Sequence, residues 1–111
     1  MNELGQIAIA AYRHGQYRDA IELLIQATEV DPTNWLARLY LAMSYQQTGR
    51  ISDAHRVYSN LNAECPDLDI QHKVQRELPQ VEAEMRKRFA AQHTAARANS
   101  VSDETVIFAW Q

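Results

Sequence analysis

Apolar residues recur every three or four positions through most of the chain, and a few glycines and prolines interrupt the pattern. Leu4, Ile7, Ala8 and Ala11 share one helical face. Gly15 then offers the left-handed conformation that closes a helix. A second helix is expected from Tyr17 to Val30, with Ala20, Ile21, Leu24 and Ala27 inward. Asp31-Pro32 stops it, because proline cannot donate to the hydrogen-bond ladder. Asn34 is placed to cap a third helix, Trp35 to about Gln47, which Gly49 ends. Ser52 is placed to cap a fourth, ending before Pro66. Over residues 69–97, Ile70, Val74, Leu78, Val81, Met85 and Phe89 form a further apolar stripe opposite Lys73, Arg76, Glu82, Glu84, Arg86 and Lys87. Pro79 interrupts that stripe and predicts a kink or short break near Glu77–Leu78. Ala90 to Ala98 can extend the helix, and Asn99-Ser100-Val101-Ser102 reads as a linker. The pattern predicts an all-α chain.

The first four elements are two copies of one unit. Residues 11–34, AYRHGQYRDAIELLIQATEVDPTN, align with residues 45–68, YQQTGRISDAHRVYSNLNAECPDL, at a constant offset of 34. Gly15 falls on Gly49, Asp19 on Asp53, Ala20 on Ala54 and Pro32 on Pro66. Ile7, Tyr17 and Leu24 fall on Leu41, Ile51 and Tyr58. Ala8 with Ala20, and Ala42 with Ala54, put small side chains where paired helices must approach closely. Through these residues the chain resembles the tetratricopeptide repeat (TPR) family, whose unit is two antiparallel helices. Leu4, Ile7, Ala8, Ala20, Leu24, Ala27 and Pro32 match its pattern in the first unit. Leu41, Ala42, Tyr45, Ala54, Tyr58 and Pro66 match it in the second. Ala11, Arg38 and Leu61 depart from it. The resemblance covers residues 1–68 and implies repeats at 1–34 and 35–68, closed by an amphipathic capping helix at 69–97. The expected domain is therefore 1–97, and 98–111 is linker and tail. Arg86-Lys87-Arg88 is expected as a solvated helix end favoured by the helix dipole.

Composition narrows function mainly by exclusion. The net charge of −3 and pI near 5.7 argue against nucleic acid as the main partner. No run approaches the length of a membrane span, and the N-terminal stretch lacks the organisation of a signal peptide. Cys65 has no partner for an internal disulfide, which fits a reducing, cytoplasmic setting. It is expected as a small residue at a turn, with a reactive thiol as the alternative. His14, His55, His72 and His93 lack metal-ligand spacing, and His14 and His55 are expected at solvated positions. Phosphate loops and nucleophile motifs are missing. No enzyme activity, cofactor, metal site or catalytic residue is expected.

The family resemblance implies a binding scaffold, with the first helix of each unit lining a concave groove. Its groove positions fall on Asn2, Gly5, Ile9, Tyr12 and Arg13, then on Leu36, Leu39, Met43, Gln46 and Gln47. A class of the family grips a chaperone's terminal carboxylate with lysine and asparagine; Gly5, Ile9 and Tyr40 stand at those places here, so that activity is not expected. The groove instead reads as apolar and aromatic, with Arg13 and Arg38 as charge contacts, and suits an apolar peptide or amphipathic helix of a protein partner. Alternatively, Leu36, Leu39 and Met43 are core beneath the capping helix.

The chain ends in VIFAWQ. Val106, Ile107, Phe108 and Trp110 make an apolar tail motif that could fill its own groove, enter a neighbouring copy's, or be gripped by another protein; an incidental disordered end is the plain alternative. The linker reaches up to ~28 Å at about 3.5 Å per residue. The expected function is a protein-binding adaptor or scaffold. The alternative is an assembly factor that shields an apolar segment of a client. Two units are few for a stable array, so association between copies is a further expectation, with the N-terminal edge as candidate face.

Overall fold

Two glycines make the turns that fold each helix pair back on itself. Gly15 and Gly49 both sit at φ +80°. At the first turn the Gly15 and Gln16 amides donate to the Tyr12 and Ala11 carbonyls, each at 2.9 Å. At the second, Gly49 and Arg50 donate to Gln46 and Tyr45 at 3.2 and 2.8 Å. This crossed pair satisfies the last carbonyls of the helix and requires a residue at ease with positive φ. The computed structural model describes the backbone of residues 3–109 and the side chains of residues 3–91. It contains α1 (Glu3–Arg13), α2 (Tyr17–Val30), α3 (Trp35–Gln47), α4 (Ile51–Glu64) and α5 (Leu68–Ala109). The described residues include no strand.

The links between hairpins use side-chain caps. After α2, the Asp31 carboxylate accepts from the Thr33 amide at 3.1 Å and the Thr33 hydroxyl at 2.7 Å. Asn34 Oδ1 then accepts from the Ala37 amide at 3.1 Å, capping α3 as its position predicts. After α4, Asp67 Oδ1 accepts from the Asp69 and Ile70 amides at 2.9 and 3.2 Å. Ser52 does not cap α4. That helix begins at Ile51, its cap position is Arg50 without a side-chain cap bond, and Ser52 lies inside the first turn. Asp53 supplies the acidic group there and meets Arg50 and Arg56.

Each helix packs on the next, and α1 also meets α3 while α3 meets α5. The first helices of the pairs therefore line up beside each other, with α5 in the place of a third. Ala8, Ala20, Ala42 and Ala54 are completely buried, as close approach requires, and Leu24, Tyr58 and Leu61 fill the space between. Burying such a side chain contributes roughly 1.5–3 kcal/mol. Ile7 is the exposed large apolar residue of the repeat pattern. It is 56% exposed, because among the described residues no helix stands before α1 as α2 stands before α3.

On α5, Ile70, Val74 and Val81 are buried and Leu78 and Met85 pack against the core, but Phe89 is 62% exposed. Of the kink or short break expected near Glu77–Leu78, the break does not occur, since α5 continues through Pro79. Pro79 is exposed, and so is Gln75, whose carbonyl loses its donor, so water can take that place. Nor is Arg86–Arg88 a helix end. It lies within α5, and Arg88 donates to the Gly49 carbonyl at 2.8 Å and pairs with Glu84 at 3.0 Å. His55 is not simply solvated either: it is half-buried and meets Glu82 at 3.3 Å, joining α4 to α5. The stretch expected as a linker, residues 99–102, and the tail as far as Ala109 continue the backbone of α5, since Asn and Ser weaken a helix without breaking it; their side chains, and Trp110, lie outside those described.

Candidate functional site

The aligned first helices give the molecule a face built by α1, α3 and α5. Along α3, Leu36, Tyr40, Met43 and Gln47 follow one helical stripe. Ile9 and Tyr12 do the same on α1. The two stripes meet at Tyr12. Its ring lies edge-on to Tyr40 at 5.2 Å and to Tyr17 at 5.1 Å between centroids, and its hydroxyl hydrogen-bonds with Gln47. Such edge-to-face pairs stabilise beyond the area they bury. Ile9, Tyr12, Tyr40 and Met43 are half-buried and Leu36 is 47% exposed, so this face keeps apolar surface open to a ligand.

The placement of the predicted groove residues varies. Ile9, Tyr12, Leu36, Met43 and Gln47 lie on the two stripes. Arg13 is exposed at the end of α1. Leu39 is buried in the core at 7% exposure, as the alternative reading of that residue expects. Gly5 is buried where α1 approaches the α3 cap, and a Cβ there would stand 3.0 Å from the Asn34 side-chain nitrogen Nδ2. Asn2 lies outside the described residues. Arg38 does not reach the groove as a charge contact. It pairs with Glu64 at 3.0 Å, donates to the Pro32 carbonyl at 3.2 Å and stacks over Trp35 at 5.0 Å.

Gln46 joins a polar chain that crosses three helices. The Tyr58 hydroxyl donates to Gln46 Oε1 at 2.8 Å, and Gln46 Nε2 donates to Glu77 Oε1 at 3.4 Å. Burial raises the Tyr58 phenol well above the ordinary tyrosine value, and the charges of Glu77 and Tyr12 add to it. Burial likewise raises Tyr12, followed by the Tyr17 and Tyr40 phenols, while the Gln47 bond pulls it back; Glu77 adds a smaller upward push. The phenols of Tyr12 and Tyr58 and the Glu77 carboxylate thus share one neighbourhood.

Tyr40, which the family resemblance already put at a ligand position, joins this face, whereas sequence reasoning missed Glu77. The signal for Glu77 was present: it stands one repeat length after Met43, which stands one repeat length after Ile9. Continuing the repeat register past residue 68 would have placed it at the groove. Among the described residues no group of His, Cys, Asp or Glu is arranged to hold a metal, and no helix is long and apolar enough to cross a membrane.

Stacked antiparallel helix pairs with small residues at the crossings, glycine-closed turns and an open face of first helices define an α-helical repeat scaffold. The family model of the tetratricopeptide repeat matches residues 11–77, more than half of the chain. The chain belongs to the tetratricopeptide repeat family, whose repeats are a protein–protein interaction module. Comparisons with curated proteins and with solved structures return no match.

Proposed function

We propose that this protein is an interaction adaptor that takes a peptide segment or amphipathic helix of a partner protein along the face of α1, α3 and α5. The observation that carries this reading is the open apolar stripe of Ile9, Leu36 and Met43 beside the Tyr12–Tyr40 pair. Side chains of this kind anchor helices and extended segments by burial. In this proposal the tail, with Val106, Ile107, Phe108 and Trp110, is a second recognition element, read by a partner or by another copy of the chain. The buried thiol of Cys65 fits work in a reducing, cytoplasmic compartment.

Site-specific photo-crosslinking tests the groove. A crosslinking residue at Leu36 is expected to capture a protein partner, whereas one at Val30, which is 73% exposed on α2, captures none. Equal capture from both positions would place recognition elsewhere. For the tail, light scattering of the full chain against a chain stopped after Ser100 reads self-association. A multimer that becomes a monomer on truncation assigns the tail to contacts between copies. An unchanged mass removes that role.

A further inference from the structure

We infer that the segment bound in this groove carries a cationic side chain, which docks on Glu77 between its apolar anchors. The inference rests on the groove reading above and adds the chemistry of the partner. Glu64, Asp53, Glu82 and Glu84 each meet a basic side chain. Among the described residues Glu77 meets none, although it is half-buried on the face that the ligand would cover. Even Lys73, one turn earlier on α5, makes no ion pair with it. The carboxylate's hydrogen-bond partner is the Gln46 amide at 3.4 Å, a long contact for a group with about four acceptor sites. A ligand that covered this face with apolar atoms alone would strip water from the carboxylate and return nothing. A guanidinium or ammonium group would satisfy it.

The surroundings favour a cation over a neutral donor. Tyr12 and Tyr40 offer aromatic surface on the same face, and cations are drawn to aromatic faces. The Tyr12 and Tyr58 phenols beside it bring no positive charge, and the buried Tyr58 hydroxyl acts on the site only through Gln46. The Tyr58–Gln46–Glu77 chain also holds the acceptor in place, because Gln46 is tied at its other end at 2.8 Å. The apolar anchors Ile9, Leu36 and Met43 then set where along the segment the charge must fall.

Three synthetic amphipathic helical peptides test this on the full chain. They share one leucine- and isoleucine-rich face and carry Arg, Gln or Glu at one central position. By fluorescence anisotropy the Arg peptide is expected to bind about tenfold more tightly than the Gln peptide, with the Glu peptide weakest. Raising the salt concentration should shrink the Arg advantage. The variant E77Q should bring all three peptides to within about twofold of one another, with unchanged helix content by circular dichroism. Equal binding of the three peptides to the unaltered chain overturns the cation inference and leaves the groove standing. An Arg preference that survives E77Q, or that ignores salt, overturns it too, since the charge is then read elsewhere. If no peptide binds, or if M43D binds all three as well as the unaltered chain, the groove reading falls with it.

Discussion

The two hairpins carry the same spacing of residues and end up in different circumstances. Ile7 and Leu41 hold equivalent places, yet Ile7 is 56% exposed and Leu41 only 7%. The difference lies in neighbours. α3 is flanked by α2 and α4 and also touches α1 and α5, whereas among the described residues α1 meets only α2 and α3. A second contrast lies one turn earlier, where Leu4 in the first hairpin corresponds to Arg38 in the second. The arginine cannot enter the core, so its guanidinium turns out to Glu64 and the Pro32 carbonyl and lies over the Trp35 ring. In a stacked repeat the sequence period assigns a residue's direction, and the adjacent unit determines what that direction is worth.

The comparison is sharpened most by truncating the equivalent pair. Leu41→Ala is expected to cost about 3 kcal/mol, from lost burial and the cavity left behind. Ile7→Ala should stay within about 0.5 kcal/mol, because its side chain is already mostly in water and alanine is the better helix former. Urea denaturation followed by circular dichroism measures both, and similar losses would refute the role assigned to neighbours.

Alkaline pH separates the hairpins next, through Tyr58, whose counterpart in the first unit is Leu24. The folded-state phenol lies above the value near 10 that it has in the unfolded chain. Its contribution is fully present below pH ~10 and is lost as pH rises toward the folded value, since the unfolded state sheds the proton first. Above pH ~10 stability should fall by up to about 1.4 kcal/mol per unit from this group. Tyr58→Phe should make the fall shallower by that amount, read as urea midpoints across the pH range. Tyr12, also raised, adds a further decline in both proteins.

At the turns the two hairpins should behave alike. Gly15→Ala and Gly49→Ala each force a Cβ onto φ +80°, at about 1 kcal/mol. Neither site adds a clash, since nothing lies near a Gly15 Cβ and the nearest atom to a Gly49 Cβ is Arg88 Nη2 at 3.8 Å. Denaturation midpoints that differ by more than the error would show that one turn carries strain the other lacks. The smallest effect is expected at Arg38→Met. Its pair with Glu64 is partly solvated, and the loss should be under about 1 kcal/mol and diminish in high salt.

Much of the fold was legible because its punctuation is local. The Gly15 and Gly49 turns, the Asp31-Pro32 stop and the Asn34 cap each act over a few residues, and the bounds of α2 and α3 follow from them. What escaped depends on contacts distant in sequence. Nothing near Arg38 announces Glu64, and nothing near Arg88 announces the Gly49 carbonyl. Ser52 looks like a cap only if the helix starts after it, and the Gly49 turn starts α4 sooner. Pro79 escaped for another reason: its cost depends on whether the freed carbonyl can find water, and that is a property of the packed helix. The site was half legible. Ile9, Tyr12 and Met43 could be assigned through the family pattern, while Glu77 sits on a helix whose apolar signature no longer repeats the unit.

The buried position of Cys65 has a practical consequence. This single thiol is 1% exposed at the joint between α4 and α5, with its carbonyl held by the Gln71 side chain. A thiol reagent can reach it only when that joint opens. The native chain therefore carries its own clock for undocking of the last helix, and the labelling rate, with and without a groove ligand, reports how firmly α5 is held without any engineered probe.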